Sequence, residues 1–209
     1  MRLRSIYIAF SAILLASACT TKTMPIPSTY TGSIASADGA GLPVALVLNF
    51  ADQKGQPYAE NSYVVQQYRL LAGDALKKSG YSVNNDAEIK ISINLSGKTE
   101  NGIVNNKYNT ARNMAVSAVT LGIGCSEMEH VADAGGSIDI KNGGSSVWAR
   151  ALDLKGASTS CHSKLNPGWL ADQQQAGVEM YERAVVNHIG AWLPDAGEKL
   201  NALGKKGKL

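Results

Sequence analysis

The chain has 209 residues, with 20 Lys and Arg against 17 Asp and Glu, for a formal net charge of +3. This near-neutral balance argues against a nucleic-acid partner, because nucleic-acid binding usually requires a strongly basic surface. The length that remains after the leader described next fits one domain with a single core.

Residues 1–18 have the three parts of a signal peptide. Arg2 and Arg4 precede an uncharged apolar run at residues 6–18, which ends in small residues. This run of about thirteen residues is shorter than the roughly 20 that a helix needs to cross a bilayer. We therefore expect export and cleavage before Cys19 rather than a membrane-spanning anchor.

Residues 15–19, Leu-Ala-Ser-Ala-Cys, resemble the lipobox of bacterial lipoproteins, in which the cysteine is acylated and becomes the new N-terminus. The resemblance implies that Cys19 carries lipid and holds the protein on a membrane. Ala16 stands where the lipobox most often has Leu, and the same residues satisfy the Ala-x-Ala rule of ordinary signal peptidase. A soluble periplasmic protein is therefore the alternative. Thr20, rather than Asp, follows the cysteine, and by the same resemblance this favours the periplasmic face of the outer membrane.

Residues 19–42 are expected to be a lipidated N-terminus followed by a flexible tether, because Pro, Ser and Thr are frequent and apolar residues few. A single α/β domain is predicted over residues 43–196. It begins with a continuous apolar run at residues 43–50, which is typical of a buried strand.

A first helix is predicted from the spacing of apolar residues after position 61. Asn61 or Ser62 would cap its start, and Gly80 has the place of a left-handed C-terminal cap. The residues at helical spacing are Val64, Tyr68, Leu71, Ala72, Ala75 and Leu76.

The pattern then changes to strict alternation, which predicts a strand with one buried face. The alternating apolar residues are Ile89, Ile91, Ile93 and Leu95. Residues 110–123, which are apolar and small, predict a short helix or a buried hydrophobic elbow.

A hairpin and a second long helix follow. Asn142-Gly143 between two alternating segments predicts the hairpin turn. The second helix is predicted to end at Leu193-Pro194 and to carry His188 at its polar margin, with residues 197–209 as a basic flexible tail. Its apolar face would consist of Val178, Tyr181, Val185, Ile189 and Trp192.

These elements predict an α+β fold, a two-layer sandwich in which two long helices pack on one face of a sheet of about four strands. Cys125 and Cys161 flank the hairpin, and in an oxidising compartment we expect them to form one disulfide. If Cys19 carries lipid, no thiol is then left over. The alternative is that both remain reduced as small buried side chains.

The sequence gives no catalytic set, metal site or cofactor. Ser96-Gly97-Lys98-Thr99 resembles the end of a phosphate-binding loop, but Ser92 stands where that motif requires Gly, so no nucleotide is expected. His130 and His162 lie close to the cysteines without the spacing of a structural zinc site.

Three residues are candidates for partner binding. Trp169 follows a Pro-Gly turn, and Met114 and Leu121 lie in the apolar elbow. Aromatic side chains with a polar tip are enriched at interfaces, and an apolar loop that is not fully covered marks a contact site. The alternative is that these side chains belong to the core or its edge.

The element order, the leader at residues 15–19 and the closing helix at residues 179–194 resemble small outer-membrane lipoproteins of Gram-negative bacteria, such as the YajG-like and LptE-like α/β lipoproteins. The resemblance implies a non-enzymatic accessory or adaptor in an envelope assembly, secretion or transport machine, with a protein partner in the cell envelope. A binder of lipid, LPS or peptidoglycan is the alternative.

Overall fold

The computed structural model describes residues 41–108, 110, 113–114, 125–163 and 167–206. The leader, Cys19, Leu121 and nearly all of the tether lie outside these ranges. The described elements are β1 (Pro43–Ala51), α1 (Tyr63–Lys78), β2 (Ser82–Val83), β3 (Ile89–Gly97), β4 (Val104–Tyr108), β5 (Cys125–Asn142), β6 (Ser145–Ala151), β7 (Leu154–Ser163) and α2 (Trp169–Lys206).

The strands form one mixed sheet in the order β2-β1-β3-β5-β4, and β6 and β7 also pair with β5. β1 runs parallel to β2 and β3, whereas β3 and β6 run antiparallel to β5. The fold is α+β, as predicted, but the sheet has seven strands and the expected number of about four is wrong. The prediction omitted β2, β4 and β7 because none of them shows an apolar alternation.

Contacts divide the chain into two compact units. The described part of unit 1 lies within Asn106–His130 and Ala157–Val178. The described part of unit 2 consists of residues 41–105, Val131–Gly156 and residues 179–206.

Unit 2 contains a continuous apolar core. The strand register places Leu46, Ile91 and Ile140 in one row across β1, β3 and β5. Residues of α1 and α2 join the same core, including Tyr68, Leu76, Tyr181, Val185, Trp192 and Leu193. Burying each large side chain of this kind stabilises the fold by about 1.5–3 kcal/mol, so this core is the main source of stability in unit 2.

The other face of the unit 2 sheet is polar. Asn49 Nδ2 donates to Asn94 Oδ1 at 2.9 Å, and Asn94 Nδ2 donates to Ser137 Oγ at 3.2 Å, which links β1, β3 and β5. Strict alternation along β3 therefore separates a buried face from a hydrated one, as its sequence predicts.

Helix α1 has the predicted boundaries. Ser62 occupies its N-cap position, although the Ser62 hydroxyl makes no capping hydrogen bond. Gly80 has a φ of 85°, and its N–H donates to Lys77 O while Tyr81 N–H donates to Leu76 O. This pair of bonds is a Schellman motif, which needs a residue that tolerates positive φ after the helix ends.

The predicted hairpin joins β5 to β6. Asn142 pairs with Ser145, and the two glycines between them have φ values of 56° and 86°. Two consecutive residues with positive φ match the type I′ turn, whose twist suits adjacent antiparallel strands. The register shifts once between Ile140 and Lys141, because Val147 is an extra residue in β6.

Helix α2 continues past Pro194 to Lys206, so the predicted helix end at Leu193-Pro194 is wrong, and residues 197–206 are helix rather than flexible tail. A proline inside a helix removes one backbone donor and disturbs the carbonyls one turn earlier. Arg150 Nη1 donates to Ala191 O at 3.1 Å and to Asp195 Oδ2 at 2.6 Å, which satisfies backbone at this point. Burial of Ala196 and Leu200 in the core stabilises the helix beyond the proline.

His188 is buried in unit 2, so its predicted place at a polar margin is wrong. Its Nε2 lies 3.2 Å from Leu152 O, which can only accept, so Nε2 carries the proton. Nδ1 then accepts from the Tyr68 hydroxyl at 2.8 Å, and the Tyr68 oxygen accepts from Trp192 Nε1 at 3.2 Å. Burial lowers the pKa of His188, and each polar atom in the chain has a partner.

Candidate functional site

The buried side chains of unit 1 are polar. Among the residues of unit 1 that the structure describes, no large apolar side chain is buried as deeply as they are. We call this set the polar layer, and it consists of Ser126, Glu127, His130, Ser160 and Gln173. A fold usually buries apolar residues, so an interior of this kind needs a specific explanation.

Three neighbouring strands place the centre of the polar layer. β5 pairs with both β4 and β7, so His130 on β5 has one neighbour on each side. His130 Nδ1 lies 2.9 Å from Asn106 Oδ1, and His130 Nε2 lies 2.8 Å from Ser160 Oγ. An amide oxygen can only accept, so Nδ1 carries the proton and Nε2 accepts from the Ser160 hydroxyl.

The electrostatics of His130 favour the neutral ring. Burial lowers the pKa of His130, and a charge on His162 would lower it further. His162 Nδ1 lies 3.6 Å from Asp172 Oδ2, so the carboxylate of Asp172 faces His162 at the edge of the layer. A neutral His130 matches the hydrogen-bond directions given above.

Helix α2 contributes two residues that contact the layer. Gln173 is fully buried and its Nε2 donates to Ser126 O at 2.8 Å, while its Oε1 has no partner. A Cβ at Gly177 would lie 3.0 Å from Asn106 Oδ1 and 3.1 Å from His130 Nδ1. The helix backbone can approach the strands this closely because position 177 has no side chain.

Ser160, His130 and Asn106 have the hydrogen-bond order of a nucleophile, a base and an orienting amide. Their environment differs from that of a hydrolytic site. Ser160 is 7% exposed and lies within the regular strand β7, whereas the nucleophile of a hydrolase stands exposed on a sharp turn. The geometry therefore fits a buried structural network. Sequence analysis missed it because its three residues are far apart in the chain and have no shared motif.

Cys125 and Cys161 form the predicted disulfide, with their Cα atoms 5.5 Å apart. The bridge joins β5 to β7 and lies on the opposite face from Ser126 and Ser160, because successive side chains of a strand point to opposite faces. For a sequence separation of 36, the chain-entropy model gives a stabilisation of about 4 kcal/mol. Zinc would need these thiolates, and the described residues contain no group of metal ligands.

The predicted partner-binding residues lie in unit 1 as far as they are described. Met114 is 62% exposed, and Trp169 is half-buried at the first position of α2. Leu170, which is 51% exposed, was missed, and Tyr108 is 41% exposed. The adjacent pair Trp169-Leu170 is a signal that the sequence offered, since one helix face cannot bury both residues fully.

The segment that resembles a phosphate-binding loop has a different structure. β3 is followed by a tight turn in which Thr99 N–H donates to Gly102 O and Gly102 N–H donates to Thr99 O. Lys98 Nζ lies 2.8 Å from Asp153 Oδ2. A phosphate-binding loop needs a helix at this place, and this segment leads to β4 instead.

Neither helix of the described chain has a stretch that is both long and apolar enough to span a bilayer.

No protein-family model matches the chain, and no curated protein matches it either. Among solved structures, a proposed homologue of the neuraminyllactose-binding hemagglutinin from Helicobacter pylori is 10% identical, with 87% of this chain and 98% of that chain covered and a TM-score of 0.43. A minor lipoprotein from Acinetobacter baumannii is 9% identical, with 74% and 93% covered and a TM-score of 0.40. The rare lipoprotein B from Shewanella oneidensis is 8% identical, with 79% and 96% covered and a TM-score of 0.34. At these identities and TM-scores, neither fold nor function is transferred to this chain.

Proposed function

We propose that the protein is an exported lipoprotein, anchored by lipid on Cys19 to the periplasmic face of the outer membrane. There it acts as a non-enzymatic accessory or adaptor that docks on a protein of the cell envelope through unit 1. The observation that carries this proposal is the inverted surface of unit 1, which buries polar side chains and exposes Met114, Leu170 and Tyr108.

The leader and the disulfide support the proposed location. Residues 1–18 have the charge and apolar pattern of a signal peptide, and residues 15–19 resemble a lipobox. Cys125 and Cys161 pair within unit 1, as expected for a protein that matures in an oxidising compartment. Three acyl chains on one cysteine would give more lasting membrane attachment than the marginal binding of a single chain.

The side chains at the surface of unit 1 support docking on a protein. Large apolar and aromatic residues are enriched at the centre of protein interfaces, where charged residues are depleted. Leu170 is next to the half-buried Trp169, and an amphipathic aromatic beside an exposed leucine is a suitable anchor for a partner.

Metabolic labelling tests the anchor. Labelled palmitate should enter the wild-type protein and be lost in the Cys19→Ser variant, and Thr20→Asp should move the labelled protein from the outer-membrane to the inner-membrane fraction. Equal labelling of the wild type and Cys19→Ser would contradict lipidation of Cys19.

Site-specific photo-crosslinking in cells tests docking. A photo-crosslinking residue at position 170 should give a protein adduct of one defined mass. The matched control is position 70 on α1, because Leu70 is a 65% exposed leucine in unit 2. A lipid, LPS or peptidoglycan adduct at position 170 would favour a binder instead of an adaptor. Equal adducts at the two positions would contradict docking through unit 1.

A further inference from the structure

We infer that unit 1 remains folded only while Cys125 and Cys161 are oxidised, so that this disulfide gives the protein redox control over one of its two units. The inference goes beyond the proposed function and does not depend on the identity of a partner. It rests on what unit 1 buries and on where the disulfide lies.

The interior of unit 1 provides little stabilisation of its own. Hydrogen bonds such as His130–Ser160 and Gln173–Ser126 replace bonds to water, so each adds little net stability. The unpartnered Oε1 of Gln173 is unfavourable in a fully buried side chain. Among the described residues, unit 1 therefore has no equivalent of the apolar core of unit 2.

The disulfide lies next to the contacts that build the polar layer. Ser126 follows Cys125 directly and its carbonyl accepts from Gln173, while Ser160 directly precedes Cys161 and bonds to His130. The bridge thus holds the ends of β5 and β7 at the separation that both contacts require. Without it, the same contacts must order the two strand ends against their conformational entropy.

Unit 2 should withstand loss of the bridge. Its core is a single apolar cluster built from residues of β1, α1, β3, β5 and α2, and the chain has no further cysteine in this unit. Parts of a protein can open separately when their local stabilities differ. We therefore expect reduction to open unit 1 while unit 2 remains folded.

A dithiol is the required reductant. One of its thiolates attacks one cysteine sulfur, which breaks the protein disulfide, forms a mixed disulfide and releases the other cysteine as a thiolate that takes up a proton. The second dithiol sulfur then attacks the mixed disulfide and releases the first cysteine. The protein gains two electrons and two protons, and the dithiol becomes a cyclic disulfide.

Hydrogen exchange on the mature chain tests the inference. With dithiothreitol, backbone amides at residues 126–130, 158–163 and 169–178 should exchange roughly 100-fold faster or more. Amides of β1 and β3 should keep their protection. Unchanged protection in unit 1, or simultaneous loss of protection in both units, would overturn the inference.

The double variant Cys125→Ser, Cys161→Ser is the matched control. It should show the fast exchange in unit 1 without reductant and should not respond to dithiothreitol. If the variant cannot be purified, the wild-type comparison with and without dithiothreitol decides alone. Slow exchange in unit 1 of the double variant would also overturn the inference.

Discussion

Unit 1 and unit 2 each bury one histidine, but they surround it with different residues. His188 in unit 2 lies within an apolar core, and Trp192, Tyr68 and Leu152 complete one directed chain of hydrogen bonds with it. His130 in unit 1 lies within the polar layer, beside Gln173, whose Oε1 has no partner.

The difference shows that the same buried residue type has a different role in each unit. In unit 2 the polar chain specifies how side chains pack within a core that is already stable. In unit 1 the hydrogen bonds replace an apolar core, and a covalent bridge supplements them. Substitutions of one type should therefore have larger global effects in unit 2 and more local effects in unit 1.

The largest expected effect comes from the core of unit 2. Trp192→Ala should lower the free energy of unfolding by about 3–5 kcal/mol, because it opens a cavity and removes the donor to Tyr68. Trp169→Ala, at a half-buried site in unit 1, should cost about 1 kcal/mol or less. Urea denaturation of both variants measures the difference, and equal losses would contradict the contrast between the units.

Removal of one hydroxyl from each histidine network should have the next largest effect. Tyr68→Phe leaves Trp192 Nε1 and His188 Nδ1 without their partner and should cost about 1–3 kcal/mol. Ser160→Ala removes the donor to His130 Nε2 and should speed amide exchange within unit 1 with little change in the global urea midpoint. A similar midpoint shift in both variants would show that the two networks are energetically equivalent.

Two glycine substitutions provide a finer comparison. Gly73→Ala on α1 should stabilise the protein by about 0.5–1 kcal/mol, because nothing lies within 4 Å of the new Cβ and Ala favours helix. Gly177→Ala gains the same helix propensity but pushes its Cβ against Asn106 and His130. We expect a net loss of up to about 1 kcal/mol in thermal or urea unfolding, and stabilisation by Gly177→Ala would argue against close packing of α2 on the polar layer.

The smallest effect should come from pH. Burial lowers the pKa of both His130 and His188 from the ordinary value of 6.5. Below pH 6.5 the unfolded chain therefore binds more protons, so the free energy of unfolding should fall as the pH falls towards the folded pKa values. Above pH 6.5 this contribution is complete. Urea midpoints measured across this range test the sign, and a rise in stability on acidification would contradict it.

The sequence predicted those elements whose inner faces are apolar. Ile89, Ile91, Ile93 and Leu95 alternate, and β3 is a strand with that face buried. α1 likewise follows its apolar spacing from Tyr63 to Lys78. In these segments hydrophobic period and structure agree because burial of apolar area is what selects the conformation.

The missed elements belong to regions where that pattern is absent or interrupted. The first part of β5 buries Ser126 and His130, and β7 buries Ser160, so neither shows apolar alternation. Pro194 indicated a helix end, yet Ala196 and Leu200 continue the buried face of α2. The polar layer itself joins residues 24 and 30 positions apart, and no sequence spacing predicts such contacts.

The hairpin strand β6 has a further consequence. Among the described strands it pairs only with β5, so one of its backbone edges is open. An open edge can recruit the edge of another molecule, and a bulge distorts the edge and hinders such pairing. The extra residue Val147 sits in the middle of that edge. If lipid confines many copies of the protein to one membrane plane, where they collide often, this single irregular position would help keep their sheets from joining into fibres.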